Sequence, residues 1–320
     1  MRPTRGAAPL VLVVLLAAAC AGGAGSPTAP DRPAPSPPAS PSAAPFPVTV
    51  TDDDGVTVTI EAAPERIVTF APSATEIVFA LGLGERLVGV AGPFDDFPAE
   101  AREIERIGGA GDFGVDPNIE RVVALQPDLF LTIKGGDHWK ERLLELGVPV
   151  VTLDAADLDD LLADIRTVGE LTGATEEAEA LAEAMEARAR EIEDAIAGRA
   201  AVTCFYETFY PPLYTVGPGT FIFDLLVRAG CDPVTAASEL QYPEWSIEDL
   251  VRQSPEVYLV SSESGASPRA VARRAGFAAV SAVAAGRVVP LDADLVERPG
   301  PRVVQGLRLL AEALHPDAFV

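Results

Sequence analysis

The sequence predicts an α/β protein with two doubly wound parallel-sheet lobes, joined by one long α-helix, and a ligand cleft between the lobes. Short apolar runs alternate with helical patterns from Arg66 onward, which indicates parallel strands joined by crossover helices. One long amphipathic stretch after Gly173 interrupts this alternation. The stretches "NIERVVALQPD", from Asn118, and "SIEDLVRQSPE", from Ser246, place Ile-Glu and Pro at the same spacing, so we expect one repeated unit in each lobe.

The first twenty residues have the pattern of an export signal. Arg2 and Arg5 precede the apolar run "LVLVVLLAAA", and a basic start before ~7–15 apolar residues is typical of secretory signals. Small residues stand directly before Cys20, as in a bacterial lipobox. We therefore expect a lipoprotein signal peptide over residues 1–20, with a diacylglyceryl group attached at Cys20. Ordinary secretion, in which Cys20 is removed, is the alternative.

Residues 21–46 are nearly all Ala, Gly, Ser and Pro, a composition typical of a disordered tether. The chain has 48 acidic and 24 basic residues, which argues against nucleic acid and anionic lipid surfaces as ligands. We therefore expect contact with the membrane only through the lipid anchor, on the outer face of the cell membrane. We also expect the protein to be a monomer.

The N-terminal lobe is predicted over residues 47–173. It begins with the strand "RIVTFA" and the helix "SATEIVFALG", in which Ser73 and Glu76 match a capping box and Gly82 a helix stop. The remaining strands and helices are predicted, in chain order, at "RLVGVAG", "NIERVVALQ", "DLFLTI", "WKERLLELG" and "VPVVTLDA".

The interlobe helix is predicted over residues 174–198, with Thr175 as its N-cap and Gly198 at its end. At ~1.5 Å per residue it is more than 30 Å long, enough to reach from one lobe to the other. Its apolar residues recur at spacings that place most of them on one stripe: Ala178, Leu181, Met185, Ile192 and Ile196.

The C-terminal lobe is predicted over residues 199–320, where the alternation restarts. Its predicted elements are "AVTCFYE", "FIFDLLVRAG", "IEDLVRQS", "EVYLVSS", "AVARRAGFAAV", "GRVVPLD" and "PRVVQGLRLLAEAL". Ligand crevices in open parallel sheets lie at the carboxyl ends of the strands. The segments predicted to line the cleft are therefore "APSAT", "AGPFDDF", "KGGDHW", "YETFYPPLY", "SSES" and "DADLVERPG".

Two cysteines, Cys204 and Cys231, remain in the predicted C-terminal lobe. Cys204 lies in a predicted strand, and Cys231 follows the helix that returns beside it. Because exported proteins form disulfides, a bridge between the two is one expectation, and two buried free thiols are the other.

The chain has only two histidines, His138 and His315, which excludes a zinc or manganese site built on several histidines. We expect His138 and Trp139 at the cleft mouth, where His138 either contacts the ligand or is a solvated loop residue. The "GAGDFG" stretch matches a dinucleotide-binding pattern without its strand and helix context, so it carries no prediction. An exported enzyme using Asp137 and His138 is the alternative class. We expect no enzyme activity, because an orienting partner for Asp137 or His138 is not evident. We also expect no cofactor.

The residues also resemble a known family. The stretches "ERIVTFAPSATEIVFALGLGERLVGV", "FDDFP", "NIERVVALQPDLFL", "YPEWSIEDLVRQSP" and "DLVERPGPR" resemble, in order and distance, the helical-backbone periplasmic binding proteins of ABC importers for cobalamin, ferric siderophores and haem. "YPEW" and "VERPGPR" are most similar to the cobalamin-binding member. The resemblance implies capture of a metal–organic chelate, most of all cobalamin, with a ferric siderophore or haem as alternatives. It also implies delivery to a permease dimer with its ATPase.

The resemblance implies ligand contacts at Phe94, at Tyr242 and in the run from Asp294 to Arg298. The cobalamin-binding member has Tyr at Phe94, Trp at Tyr242 and aromatics at the two positions after Asp294, so the aromatic set differs here. Tyrosines cluster between residues 205 and 245, which favours a flat apolar ligand. The predicted ligand-binding set is Phe94, Tyr210, Tyr242, Trp245, Asp294, Arg298 and His138. The phenylalanines expected in the core are Phe205, Phe221 and Phe223.

The repeated Ile-Glu stretches place Glu120 and Glu248 at equivalent positions in the two lobes. In the family that the chain resembles, a glutamate at each lobe tip pairs with arginines of the permease, which implies that role for both residues. The alternative is local, because an acid in the first turn of any helix is favoured by ~0.3–1 kcal/mol through the backbone dipoles.

Overall fold

Two four-stranded parallel sheets form the body of the protein, one in each lobe. The computed structural model describes residues 46–108 and 116–319. The predicted signal peptide, Cys20, the tether up to residue 45 and the glycines of "GAGDFG" therefore lie outside the described residues. Within the described ranges, no helix has the length and apolar character that crossing a bilayer requires.

The two sheets have the same topology. The N-terminal sheet contains β3 (Ile67–Thr69), β4 (Leu87–Gly89), β5 (Leu129–Thr132) and β6 (Val150–Thr152), in the order β4-β3-β5-β6. The C-terminal sheet contains β7 (Val202–Glu207), β8 (Cys231–Pro233), β9 (Val257–Ser261) and β10 (Val288–Leu291), in the order β8-β7-β9-β10. In both sheets the strand that comes second along the chain, β4 or β8, lies at one edge, and the strand that comes first, β3 or β7, lies beside it. The repeat therefore extends to the whole sheet of each lobe.

The helices connect these strands. Those of the N-terminal lobe are α1 (Pro72–Ala80), α2 (Ile119–Ala124), α3 (Asp137–Glu145) and α4 (Leu158–Thr172). Those of the C-terminal lobe are α6 (Phe221–Arg228), α7 (Ile247–Gln253), α8 (Pro268–Ala272), α9 (Ser281–Ala284), α10 (Ala293–Val296) and α11 (Val303–Leu314). Separate apolar clusters cover the outer face of each sheet, around Phe130 in one lobe and Tyr258 in the other. Both faces are therefore covered, as the predicted fold requires.

The long helix α5 (Thr175–Ile196) joins the lobes. It packs against α4 of the first lobe and α11 of the second, and one apolar core continues through it. Gly169 permits the close approach of α4 to α5, because a Cβ added there would overlap the Cβ of Ala178. Thr175 is the first residue of this helix and not its cap, since the preceding Ala174 holds the N-cap position without a side-chain bond.

The predicted capping box of α1 is wrong. Pro72 occupies the beginning of the helix, the N-cap position belongs to Ala71, and no side chain caps the end. Pro is well suited to the first helical turn because its missing N–H would be unpaired there in any case. Ser73 therefore lies inside the helix, and Glu76 binds Arg302 of the other lobe instead.

The sequence patterns do not predict an antiparallel hairpin of β1 (Val48–Thr51) and β2 (Thr57–Ile60), which begins the N-terminal lobe ahead of its parallel sheet. Its turn contains three consecutive aspartates and Gly55, whose φ of +76° suits glycine. The turn is bound to the edge of the N-terminal sheet, because the side chain of Asp52 accepts a hydrogen bond from the Thr152 N–H at 3.0 Å.

A disulfide joins Cys204 of β7 to Cys231 of the neighbouring strand β8, with their Cα atoms 5.8 Å apart. Of the two expectations for these residues, the bridge is therefore the one that the structure contains. Phe205 and Phe221 are buried, and Phe223 packs against the same core as Phe221, as expected.

Candidate functional site

A cleft opens at the carboxyl ends of both sheets. In each sheet, the chain runs from one central strand to the edge strand on one side, and from the other central strand to the edge strand on the opposite side. Open α/β sheets bind ligands at the crevice between two such central strands. A cavity of about 730 Å³ lies there. Its N-terminal wall contains the residues that directly follow β3, β5 and β6, together with Asp53 and Asp160. Its C-terminal wall includes 219–222, Gln241, Tyr242 and 297–299.

A second cavity of about 510 Å³ adjoins the first, since Pro72, Glu297 and Arg298 line both. Its remaining walls come from Phe94, from the residues after β7 and β9, and from the beginning of α10. Every predicted cleft segment contributes at least one described residue to one of the two cavities, although "AGPFDDF" and "YETFYPPLY" do so only through Phe94, Thr208 and Phe209.

Three aromatic side chains line these cavities while remaining open to solvent. Tyr242 is 60% exposed, and Phe94 and Phe209 are each 51% exposed. Large apolar side chains that a folded protein leaves this accessible inside a cavity are suited to an apolar ligand face. Phe94 and Tyr242 belong to the predicted ligand-binding set. Phe209 does not, although its position directly after a strand is the signal that identifies it.

Arg298 lies on the floor of the cleft and links the lobes. Its guanidinium bonds Asp294 at 2.6 Å and donates to the backbone carbonyl of Phe94, in the other lobe, at 3.2 Å. Asp96 is 3.9 Å away. The Arg298 side chain is only 16% exposed, and its contact with Asp294 holds these two predicted ligand-binding residues against each other.

A second arginine bridges the lobes beside Arg298. Arg302 forms two hydrogen bonds with Glu76, at 2.8 and 2.6 Å, and stacks on Phe97 with its guanidinium carbon 3.8 Å from the ring centre. Glu76 is 4% exposed. A buried, two-point contact of this kind fixes one lobe against the other and so sets the geometry of the cleft.

Glu297 lines both cavities and is held by a hydrogen bond from a buried tyrosine. It accepts a hydrogen bond from the Tyr206 hydroxyl at 2.7 Å, and burial raises the pKa of the Glu297 carboxyl. Tyr206 itself is buried in the C-terminal core. It therefore positions Glu297 and does not present an aromatic face to the cleft, contrary to the interpretation of the tyrosine cluster.

The hairpin turn forms part of the cleft wall, which the sequence analysis does not predict. Asp53 lines the first cavity and accepts the N–H of Asp154 at 2.5 Å, while Asp54 bonds the Lys140 ammonium at 2.6 Å. Behind this wall, burial and the neighbouring Asp53 raise the pKa of Asp164 to about 8. Three aspartates before a glycine indicate a turn, but only the folded chain places that turn at the cleft.

Two predicted ligand contacts in the C-terminal lobe, Tyr210 and Trp245, do not line either described cavity. The ring of Tyr210 stacks on Arg274, 4.0 Å from its guanidinium carbon, and Arg274 is bonded to the buried Glu207. Trp245 packs against the same core and donates from its ring N–H to Gln253 at 3.2 Å. Both aromatics are thus held by partners within their own lobe, which is why neither contributes to the cavity walls.

His138 and Trp139 do not line the described cavities either: the expected place of Trp139 at the cleft mouth is wrong because its ring is buried, whereas His138 is exposed and its role stays a prediction. His138 is exposed and its Nε2 atom is 2.9 Å from an oxygen of Asp116. Trp139 is buried against Phe70 and Phe130, with ring centres 5.5 and 5.8 Å away. The glycines before them begin α3, and the first turn of that helix directs Trp139 into the outer core of the lobe.

Glu120 and Glu248 are exposed in the first turns of α2 and α7, which lead into the equivalent strands β5 and β9. The N-caps of the two helices, Asn118 and Ser246, each accept the N–H three residues ahead at 3.0 Å. Among described residues, two non-glycine positions have a positive φ, and each directly precedes the proline of one of these two stretches: 48° at Gln126 and 54° at Ser254. The backbone repeat is therefore complete through the helix, and it gives both glutamates the same local setting.

Comparison with known proteins identifies relatives along most of the chain. The family model described as "Periplasmic binding protein" matches residues 67–295. An uncharacterised ABC transporter substrate-binding lipoprotein, YvrC of Bacillus subtilis, is 33% identical over 283 residues, or 86% of this chain and 87% of the relative. The vitamin B12-binding protein of Vibrio cholerae is 30% identical over 245 residues, or 76% of this chain and 86% of the relative.

Solved structures of proteins named for different ligands are similar to the described fold. The periplasmic vitamin B12 binding protein of Vibrio cholerae has a TM-score of 0.69 at 28% identity, covering 80% of this chain and 98% of that one. An Fe³⁺-hydroxamate transport protein of Saccharomonospora viridis has a TM-score of 0.71 at 25% identity, covering 84% of this chain and 99% of that one. The haem-binding protein RhuT of Roseiflexus has a TM-score of 0.72 at 25% identity, covering 80% of this chain and 100% of that one.

Proposed function

Since the chain belongs to the periplasmic binding protein family, we propose that it is the substrate-binding lipoprotein of an ABC importer and that its ligand is cobalamin or another corrinoid. In this role it binds the chelate outside the cell membrane and delivers it to the permease dimer and its ATPase. It performs no reaction on the ligand.

The single observation that carries the ligand proposal is the pair of adjoining cavities with exposed aromatics. At about 730 and 510 Å³, they exceed together the ~300–1,000 Å³ that suits a drug-sized ligand. Phe94 and Phe209 stand at one cavity and Tyr242 at the other, so a large flat ligand could contact aromatic faces along both. The vitamin B12-binding relatives support the same ligand class.

Calorimetric titration of the purified protein with cyanocobalamin tests this proposal. We expect one saturable site with a dissociation constant of about 1 μM or tighter. Haem and a ferric trihydroxamate are titrated in parallel, because two of the similar structures are of proteins named for haem binding and for Fe³⁺-hydroxamate transport. Saturable binding of one of these and none of cyanocobalamin would transfer the proposal to that ligand, and absence of all three would remove it.

The lipid anchor is a separate part of the proposal. It rests on the residues before Cys20 and on the lipoprotein name of the Bacillus relative. We expect the mature protein to partition into the detergent phase, and the variant Cys20→Ser to remain in the aqueous phase. Equal partitioning of the two proteins would show that no lipid is attached at this cysteine.

The docking role of Glu120 and Glu248 completes the proposal. The support is their exposure and their equivalent setting in the two lobes, since two matched permease subunits need two matched contacts. Neither residue lines a described cavity, so docking and ligand capture are separable.

A further inference from the structure

Among the described residues that line the two cavities, the charged ones are predominantly acidic. Two of their side chains are cationic, Lys134 and Arg298. Six are carboxylates, three from each lobe: Asp53, Asp154, Asp160, Glu263, Asp294 and Glu297.

Both cations are already paired with acids of the same wall. The Lys134 ammonium is 3.3 Å from Asp154, and the Arg298 guanidinium is 2.6 Å from Asp294. An anionic ligand that recruited either cation would have to compete with a carboxylate that remains beside it. Each of the two described cations therefore has a carboxylate beside it, and the described lining carries four more carboxylates than cations.

The other carboxylates retain capacity to accept hydrogen bonds. Glu297 takes one from the Tyr206 hydroxyl, Asp53 one from the Asp154 N–H, and Asp160 one from the Ala156 N–H at 3.1 Å. An ionised carboxyl group accepts at about four positions, so these bonds do not saturate it. A ligand that brings N–H donors to these oxygens gains bonds, while a ligand that brings carboxylates meets like charge.

Building on the proposed function, we propose that this cleft selects chelates that carry no net negative charge and that donate N–H groups from their edge. A corrinoid ring bordered by carboxamides meets this description, as does a ferric trihydroxamate with a free amine. Haem, with two propionates, and ferric tricatecholates, with three negative charges, do not. The charge of the cleft thus discriminates among ligands that its size and aromatic lining would otherwise admit.

The test compares two probes that differ at the ring edge, where one carries amide N–H donors and the other carries negative charge. Cyanocobalamin and its derivative with three peripheral amides hydrolysed to carboxylates are titrated into the full-length protein at pH 7.5. We expect the amide form to bind tighter by about tenfold or more. We also expect added salt to reduce this ratio, because screening weakens repulsion between charges exposed to solvent.

Two double variants, one inside the cleft and one outside it, test whether the cleft carboxylates cause the selection by charge. Asp160→Asn with Glu263→Gln neutralises one exposed carboxylate in each lobe, and we expect it to lower the amide-to-carboxylate affinity ratio several-fold. Glu61→Gln with Glu141→Gln removes the same charge from exposed positions outside both cavities, and the ratio should remain unchanged. Melting temperatures of both variants show whether the fold is kept.

The outcomes separate this inference from the proposed function. Binding of the tricarboxylate as tightly as cyanocobalamin, or preference for haem over every neutral probe, would overturn the charge selection and leave a chelate-binding protein. A ratio that falls equally in the control variant would also overturn it, since net charge and not the cleft would then be responsible. If no chelate binds at all, the proposed function fails, and the inference fails with it.

Discussion

The buried ion pair between Glu76 and Arg302 should be a large single contribution to the stability of the two-lobed body. Its two hydrogen bonds, 2.8 and 2.6 Å long, join α1 of one lobe to the residue before α11 of the other. Arg302→Met keeps the side-chain stem over Phe97 but removes the charge, so Glu76 remains buried without a partner. Breaking such a pair on one side destabilises proteins by ~3–5 kcal/mol.

The side-chain exposures of 3% for Glu76 and 17% for Arg302 place this pair near the lower end of that range, because some solvent reaches the guanidinium. We expect Arg302→Met to lower the free energy of unfolding by about 3 kcal/mol. For domains of ~150–250 residues this corresponds to a fall in melting temperature of about 6 °C or more. Glu76→Gln combined with Arg302→Met should lose less than the sum of the single changes, since neither partner is then left charged.

Urea denaturation followed by circular dichroism measures these values, and the single and double variants complete a mutant cycle. Arg190→Met is the matched control, because Arg190 pairs with Glu186 on the exposed face of α5. An exposed pair contributes ~0–1 kcal/mol, so this control should barely change stability. A loss for Arg302→Met no larger than for Arg190→Met, or full additivity in the cycle, would refute the role of the pair.

Three further predictions concern the cleft, the docking residues and the buried acid. Phe94→Ala with Tyr242→Ala should weaken cyanocobalamin binding by ~2 kcal/mol or more, because truncated aromatic anchors often have that effect, and unchanged calorimetric affinity would contradict it. Glu120→Gln with Glu248→Gln should bind ligand normally but fail to form a complex with the permease in a pull-down, and each single change should fail only partly; normal docking with lost ligand affinity would reverse these roles. Asp164, with its pKa raised to about 8, stays protonated in the folded state while the unfolded chain ionises, so the protein loses stability as pH rises from about 4 to 8. Asp164→Asn should therefore raise the melting temperature at pH 8 and not at pH 4, and an equal effect at both values would exclude this cause.

Much of the fold follows from local patterns. The strand after Arg66, the helix stop at Gly82 and the amphipathic stripe of α5 each depend on neighbours a few residues away, and they occur as predicted. The repeat at Asn118 and Ser246 indicates matched lobes, and the two sheets share one strand order. Topology also places the cleft, because the carboxyl ends of parallel strands lie at one edge of a sheet.

The errors concern residues whose partners are distant in the sequence. Ser73 and Glu76 have the spacing of a capping box, but the partner of Glu76 is an arginine of the other lobe. Tyr206 belongs to an aromatic cluster in the sequence, yet the pleat of β7 directs it into the core. Trp139 follows flexible glycines, yet the first turn of α3 buries it. In each case the local pattern is compatible with two environments, and burial selects one of them.

The sequence by itself determined the α/β fold class, the two matched lobes, the joining helix and the segments at the cleft, because periodicity and strand–helix order are properties of short stretches. Only the tertiary structure decided which side chains of those segments meet. It brings Arg298 to the Phe94 carbonyl, Glu297 to Tyr206 and the hairpin aspartates to the cleft wall. The physical reason is that hydrogen bonds and ion pairs depend on distances of a few ångströms between residues far apart in the chain, and packing of the lobes sets those distances.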